Sequence, residues 1–171
     1  MYVHTLDLYM LQVKNLSCER ANRVLFRNLS FQLNRGVALR VLGLNGSGKT
    51  TLLRILAGLY QDFEGGLEWE EDCHPLYIGH RRGVKPLMSA RENLIWAATI
   101  NGQEKKRSEI DEALRQVSLE RYADIACGSM SEGQCGRVSL ARLFVLDSLV
   151  WILDEPFNAI DSAGIQCLVE R

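Results

Sequence analysis

A glycine-rich stretch, residues 43–51, lies between two apolar runs, and its spacing limits what the chain can fold into. It reads GLNGSGKTT, so four residues separate Gly43 from the Gly48-Lys49-Thr50 that follows. This spacing is typical of a loop that joins a β-strand to an α-helix and turns its backbone N–H groups toward phosphate oxygens. The N-terminus of the following helix adds a partial positive charge. The stretch therefore predicts an α/β fold that binds a nucleoside triphosphate at this loop.

The side chains of the loop have separate tasks under this interpretation. Lys49 would bridge the β- and γ-phosphates, and the Thr50 hydroxyl would take one coordination position on Mg²⁺. The alternative is an ordinary glycine-rich turn that binds no ligand. The predicted nucleotide-binding residues are Gly43, Leu44, Asn45, Gly46, Ser47, Gly48, Lys49, Thr50 and Thr51.

The composition excludes several classes of protein. With 171 residues, 47% hydrophobic and 24% charged, the chain has the length and balance of one soluble domain with a sizeable core. Its 20 basic and 21 acidic residues nearly cancel, which argues against nucleic acid as a partner. The five cysteines form no C-x-x-C pair and favour a reducing compartment over a disulfide framework or zinc site. No apolar run approaches the roughly 20 residues that span a bilayer, so membrane association is expected only through a partner.

Hydrophobic periodicity predicts the order of the elements. The first helix, residues 50–59, has apolar side chains on nearly every face and is expected to be buried. The charged run around residues 105–111 is interpreted as a solvated helix face rather than a binding patch. Strands are predicted over residues 11–16, 29–33, 37–42, 64–69 and 76–79, and further helices over residues 89–100 and 104–117.

A second chemical stretch is the apolar run of residues 149–153, which is followed directly by Asp154 and Glu155. Apolar residues without alternation predict a strand that is buried on both faces of a parallel sheet, and ligands bind at the carboxyl ends of such strands. Asp154 would hold Mg²⁺ through its water shell, and Glu155 would act as general base toward the attacking water. The alternative is an acidic cap of the following turn.

A helix start is predicted shortly after residue 128. Ser129 and Glu132 fit a capping box, and an apolar stripe of helical spacing follows them. Ser131, Gly133 and Gln134 are then expected near an exposed helix N-terminus, which attracts phosphate. Taken alone, this stretch is better explained as an ordinary capped helix.

The three motifs in this order resemble those of the ATP-binding subunits of ABC transporters. The resemblance runs from about Leu11 to the end of the chain and rests on the GxxxxGKT loop, the Ser-x-Gly-Gln helix start and the strand that ends in Asp-Glu. Within that superfamily, the segments LSCER (16–20), YIGH (77–80) and WILDEPFNAID (151–161) are similar to the haem-exporter ATPases of bacterial cytochrome c maturation.

The resemblance implies a fold, an activity and partners. The fold would be a P-loop NTPase of the ABC ATPase type, with a central, mostly parallel sheet, an N-terminal antiparallel β layer and a helical subdomain. That subdomain would carry the family's signature motif, which corresponds to residues 130–134 here. A single domain would span residues 1–171, with the helical subdomain at about residues 80–148, and would end soon after Asp161. ATP and Mg²⁺ are the implied cofactors. Ser131, Gly133 and Gln134 would close on the ATP of a second copy, and Asp161 would meet the opposing phosphate site.

The implied location is peripheral, on the cytoplasmic face of the bacterial inner membrane. The implied partners are the transmembrane subunits of the cytochrome c maturation transporter, which would move haem. Two functions stay open. One is an ATP-hydrolysing transporter subunit with Glu155 as base and with Thr50 and Asp154 on Mg²⁺. The other is a truncated or degenerate nucleotide-binding protein that binds ATP with little hydrolysis, because the chain ends before the later strand that carries a histidine in these ATPases.

The chain departs from the family pattern at three further places. Glu132 stands in the signature where the family has a small residue, and its repulsion of phosphate would weaken dimer closure. The glutamine expected after the strand at residues 77–79 is absent, and His80 and Arg81 flank that position. No tyrosine is found where many relatives stack adenine, although Arg20 would be able to stack on the base by a cation–π contact.

Overall fold

The computed structural model describes residues 9–71, 73–79 and 83–156. These residues form two compact units, with the boundary between Pro75 and Leu76. Among the described residues, no helix is both long enough and apolar enough to cross a membrane.

The first unit contains an antiparallel sheet with the strand order β2-β1-β3. β1 spans Tyr9–Arg20, β2 spans Arg23–Asn34 and β3 spans Glu64–Trp69. The predicted strands at residues 11–16, 29–33 and 64–69 are confirmed. The N-terminal antiparallel layer is therefore present as the resemblance implied.

The central strand β1 supplies much of the buried surface of this unit. Leu11, Val13 and Leu16 are each at most 2% exposed. A two-residue turn at Ala21 and Asn22 joins β1 to β2, and both residues have the positive φ that a type I′ hairpin turn requires, 52° and 59°. The hairpin fixes the register that buries the apolar face of β1.

Helix α1, Lys49–Leu56, follows the glycine-rich loop. Its buried residues are Thr51, Leu52, Ile55 and Leu56, which lie on one side, whereas Thr50 is exposed. The prediction of burial on nearly every face is wrong, because only one side of the helix packs in this unit. The helix also ends earlier than predicted. Gly58, with φ of 70°, donates its N–H to the carbonyl of Ile55 and closes the last turn.

The strand predicted at residues 37–42 is not formed. Val37, Leu39 and Leu42 are 57%, 48% and 73% exposed. The sequence favours a strand locally, but a strand persists only where a neighbour satisfies its N–H and C=O groups. Among the described residues, no strand pairs with this segment, so an apolar stretch without regular secondary structure leads into the loop.

The second unit combines a parallel strand pair with a helical core. β4, Leu76–Ile78, pairs with β5, Trp151–Leu153, in the register Leu76 to Trp151 and Ile78 to Leu153. The predicted strand at 76–79 is confirmed to within one residue. The helices are α2, Ala90–Ile100, α3, Arg107–Gln116, and α4, Glu132–Val145, with two 3₁₀ turns at Glu120–Tyr122 and Cys127–Ser129.

The helices pack around one apolar core. Leu94 of α2, Ile110 and Leu114 of α3 and Leu140 of α4 are at most 1% exposed. Each residue comes from the apolar stripe of its own helix, so the amphipathic pattern decides which faces meet. The helices predicted at 89–100 and 104–117 are confirmed, with the second starting three residues later than expected.

The strand β5 differs from its prediction in burial. Ile152 is 6% exposed, but Leu149 and Trp151 are 66% and 36% exposed. The prediction of burial on both faces is therefore wrong for this strand. Within the described residues β5 has one strand neighbour, β4, and one of its faces is covered.

Candidate nucleotide-binding site

The glycine-rich loop has the curled backbone that its spacing predicted. Gly46 and Gly48 have φ of 76° and 94°, in the left-handed region that favours glycine. A Cβ at Gly43 would lie 2.6 Å from the Ser47 hydroxyl oxygen, and one at Gly48 would lie 3.0 Å from Cβ of Leu25 in β2. Glycine is thus required both for the conformation and for the close approach of neighbouring groups.

Lys49 carries the positive charge of the loop. Its Nζ donates to the carbonyl oxygens of Gly43 and Leu44, at 2.8 and 2.9 Å. The ammonium group is therefore folded back onto the loop rather than extended into solvent. Phosphate oxygens are stronger acceptors than carbonyls for a charged donor, so the same group can exchange these two bonds for bonds to a ligand.

The N-terminus of α1 adds backbone N–H donors to the loop. The first intrahelical bond runs from the Leu52 N–H to the Gly48 carbonyl at 2.8 Å. The N–H groups of Lys49 and Thr51 precede that bond at the start of the helix, where backbone donors point toward the loop. The first turn of α1 contains no acidic residue that would compete with an anion. This cradle suits the phosphates of a nucleotide, and the assignment of the nine residues 43–51 to nucleotide binding stays a prediction.

Asp154 lies at the carboxyl end of β5 and is held in place by β4. It is 4% exposed, and its N–H donates to the Ile78 carbonyl at 2.9 Å. The Tyr77 hydroxyl donates to Asp154 Oδ2 at 3.0 Å. Sequence analysis missed Tyr77. A Cβ at Gly79 would lie 2.6 Å from the Tyr77 hydroxyl oxygen, so a glycine there leaves room for the phenol.

Glu155 is exposed and has φ of 53°, which is unusual for a residue other than glycine. A conformation of this kind costs about 1–3 kcal/mol and persists where the surrounding structure enforces it. Such outliers cluster at functional sites. Because Ala21 and Asn22 have similar φ in the hairpin turn, the backbone at Glu155 marks a turn after β5, and the functional interpretation of Glu155 rests on its place in the sequence motif.

Ser131 is the N-cap of α4. Its Oγ accepts from the Gln134 N–H at 3.2 Å, and Gln134 Oε1 accepts from the Ser131 N–H at 2.8 Å. This is a capping box, but it is not the predicted pair of Ser129 and Glu132. That prediction is wrong because Ser129 ends a 3₁₀ turn and the helix begins at Glu132. Ser131, Gly133 and Gln134 do lie at the helix start, as expected.

The donor types within each unit suit different parts of a nucleotide complex. In the first unit, backbone N–H groups and an ammonium suit phosphate; in the second, the Asp154 carboxylate is an oxygen ligand of the kind that Mg²⁺ prefers. The loop belongs to the first unit, whereas Asp154, Glu155 and the α4 start belong to the second. Asp161, together with His80 and Arg81, lies outside the described residues.

The chain is similar to known proteins in both sequence and fold. A sequence model of the family described as ABC transporter matches residues 26–158. The cytochrome c biogenesis ATP-binding export protein CcmA of Saccharophagus degradans is 41% identical over 91% of this chain and 77% of its own length. CcmA of Pseudomonas putida strain GB-1 is 44% identical over 91% of this chain and 78% of its own length. CcmA of Haemophilus influenzae is 40% identical over 95% of this chain and 81% of its own length.

Solved structures share the fold. An ATP-binding subunit of an ABC transporter superposes with a TM-score of 0.83 at 25% identity, over 94% of this chain and 72% of that one. A putative ABC transporter ATP-binding protein from Pyrococcus furiosus gives a TM-score of 0.82 at 22% identity, over 94% of this chain and 84% of that one. The α/β fold class predicted from the sequence is confirmed.

Proposed function

Because the chain belongs to the ABC transporter family, we propose that it is the ATP-binding and ATP-hydrolysing subunit of an exporter that serves cytochrome c biogenesis. The observation that carries the proposal is the loop of residues 43–51, whose backbone and Lys49 form an anion cradle. Relatives with 40%, 41% and 44% identity are named as ATP-binding export proteins of cytochrome c biogenesis.

Different residues of the chain have different roles in ATP hydrolysis under this proposal. The loop N–H groups and Lys49 bind the β- and γ-phosphates and hold them in place. Thr50 and Asp154 would hold Mg²⁺, which when bound neutralises charge on the transferred phosphoryl group. Glu155 accepts a proton from water as that water attacks the γ-phosphorus, and ADP leaves on the opposite side. Tyr77 orients Asp154 through its hydroxyl.

A second copy of the chain completes the site in this proposal. Ser131, Gly133 and Gln134 of one copy approach the γ-phosphate bound by the other, with Asp161 at the opposing loop. The capping box supports this role, because Ser131 Oγ accepts from the backbone and keeps its own hydrogen for donation. The transmembrane subunits of the exporter hold the pair at the cytoplasmic face of the membrane, and haem is the proposed cargo.

One observation favours a second candidate, a nucleotide-binding protein with little hydrolysis. Glu132 is exposed at the first position of α4, directly after Ser131. A carboxylate there stabilises the helix dipole but repels an incoming γ-phosphate. Steady-state turnover by the wild-type chain with its membrane partners separates the two candidates, because only the first requires multiple turnovers.

The loop assignment is tested by Lys49→Ala. Loss of a charge-assisted contact of about 1.5–3 kcal/mol lowers ATP affinity by about tenfold or more. Calorimetric titration with ATP measures this, and Arg54→Ala on the same helix serves as a control that removes a cation outside the loop. Unchanged affinity in Lys49→Ala would contradict the assignment.

The composite site is tested by mixing two inactive variants. Lys49→Ala chains and Ser131→Ala chains together form heterodimers with one intact site each. We expect ATPase activity in the mixture well above that of either variant alone. A mixture no more active than its components would argue against a site shared between two copies.

A further inference from the structure

The turn that precedes α4 is bonded to the loop that precedes α2. The Cys127 N–H donates to the Met88 carbonyl at 2.9 Å, and the Gly128 N–H donates to the Pro86 carbonyl at 2.8 Å. A Cβ at Gly128 would lie 3.1 Å from that same Pro86 oxygen. Residues 85–89 and the 3₁₀ turn Cys127–Ser129 therefore lie in close backbone contact within the second unit.

One buried side chain joins these two segments. Asn93 of α2 is 5% exposed, and its Oδ1 accepts from the Lys85 N–H at 2.7 Å. Its Nδ2 lies 3.0 Å from the Lys85 carbonyl, 2.9 Å from the Ser89 carbonyl and 3.3 Å from Cys127 Sγ. The amide thus lies within hydrogen-bonding distance of the loop, the N-cap of its own helix and the turn.

The same turn is also bonded to the first turn of α4. Cys135 Sγ donates to the Cys127 carbonyl at 3.2 Å. Residues 131–134 lie between Cys127 and Cys135, so both flanks of this stretch are tied to Cys127. The capping box sets the internal geometry of residues 131–134, and the contacts of Cys127 set where that box sits in the unit.

We propose that Asn93 is a positioning residue for ATP hydrolysis. Asn93 holds the turn at Cys127, and that turn fixes the positions of Ser131 and Gln134. This inference rests on the proposed function, in which these residues meet the γ-phosphate. Asn93 touches no phosphate itself. It acts by holding the turn against residues 85–89, and a misplacement of about 1 Å in a catalytic site can cost about 100-fold in rate.

The test compares Asn93→Asp with Asn101→Ala. Asn93→Asp keeps the size and the Oδ1 acceptor but replaces the donating amide, which breaks the bonds to the carbonyls and to Cys127. Asn101, the C-cap of the same helix, donates to the Ala97 carbonyl at 2.8 Å, and its side-chain bond is outside the turn. We expect Asn93→Asp to lower kcat by at least about tenfold with KM for ATP unchanged within about twofold. Asn101→Ala should retain the wild-type kcat.

Hydrogen exchange gives a readout that does not need activity. In Asn93→Asp, the amides of Cys127 and Gly128 should exchange at least about tenfold faster, while those of α3 keep their protection. Cys127→Ala is a second variant, which removes the acceptor of the Asn93 amide and should also speed exchange at these amides. Cys127→Ser keeps an acceptor at this position and should retain the slow exchange of the wild type. An unchanged kcat in Asn93→Asp, equal losses in Asn101→Ala, or faster exchange spread over α3 would overturn the proposal. Absence of hydrolysis in the wild type would instead count against the proposed function, and exchange at Cys127 would still decide the role of Asn93.

Discussion

Single residues set the conformations on which the candidate site depends. Gly46 and Gly48 adopt positive φ without cost, whereas Glu155 adopts it at a cost. The protonation state of a buried polar group is likewise set by its surroundings. Burial and, to a smaller extent, the nearby Cys135 raise the pKa of the Cys127 thiol to about 11, against the opposing effect of the hydrogen bond from Asn93. Cys127, the first residue of the 3₁₀ turn before α4, therefore stays neutral at neutral pH.

The raised pKa of Cys127 makes stability depend on alkaline pH. Below its usual pKa near 9 the thiol is neutral in both states, so its contribution is fully present. As pH rises toward 11, the unfolded chain ionises while the folded thiol stays neutral, and this contribution is lost. Between about pH 8 and about pH 10.5, the wild type should lose about 2 kcal/mol more unfolding free energy than Cys127→Ser.

Urea denaturation at the two pH values measures this difference. The pKa values of Cys18, Cys73 and Tyr60 are also raised, mainly by burial, but these groups are present in both proteins and cancel in the comparison. If the unfolding free energies of the two proteins differ by the same amount at both pH values, Cys127 is not the source of the pH dependence.

At the scale of elements, the pairing of β1 with β3 contains a bulge. β1 pairs with β3 from Leu11 opposite Trp69 to Lys14 opposite Gly66, and the register shifts before Ser17. Gly65 lies at this irregularity with φ of 100°. A Cβ there would lie 2.5 Å from the Asn15 carbonyl oxygen, which is backbone and cannot rotate away. The bulge therefore depends on one glycine.

Gly65→Ala should destabilise the first unit much more than Gly66→Ala. The positive φ alone costs about 1–3 kcal/mol, and with the backbone clash we expect a loss of at least about 2 kcal/mol. Gly66 is the matched control, because a Cβ there would have its nearest contact at 3.6 Å. Its replacement should change stability by less than about 0.5 kcal/mol. Chemical denaturation compares the two, and equal effects would contradict the role assigned to Gly65.

At the scale of the whole molecule, the functional groups are divided between two units. The anion cradle lies in the first, and the carboxylates and the α4 start lie in the second. The apolar residues Leu42 and Leu44, at 73% and 85% exposure, lead into the cradle. Exposed apolar segments of this kind promote association without any ligand, so association driven by nucleotide has to be distinguished from it.

Glu155→Gln should trap a nucleotide-dependent dimer. Without the base, ATP persists between two copies of the chain, and the contacts of Ser131 and Gln134 with its γ-phosphate hold them together. Sedimentation velocity should show dimer with ATP and monomer without it. Adding Lys49→Ala to Glu155→Gln should abolish the dimer. Association that is independent of ATP, or that is lost in Leu42→Ser, would point to the apolar segment instead.

The sequence alone determined the features that depend on residue spacing. The loop at residues 43–51 requires glycines at fixed places, and β3 was predicted at its observed bounds as a short strand marked by the pair Gly65-Gly66. The N-cap of α2 at Ser89 also follows from a local pattern, a serine three residues before Glu92. Such signals are local, because the atoms that interact are a few residues apart along the chain.

Only the tertiary structure decided the features that depend on distant neighbours. The segment at residues 37–42 has strand-forming residues, but a strand needs a pairing partner that its own sequence cannot specify. The bond from Tyr77 to Asp154 joins side chains 77 residues apart, and the bond from Asn93 to Cys127 spans 34. Likewise, the start of α4 at Glu132 rather than earlier follows the turn that residues 85–89 hold in place. These features depend on hydrogen bonding and burial between residues far apart in the sequence, which no local pattern encodes.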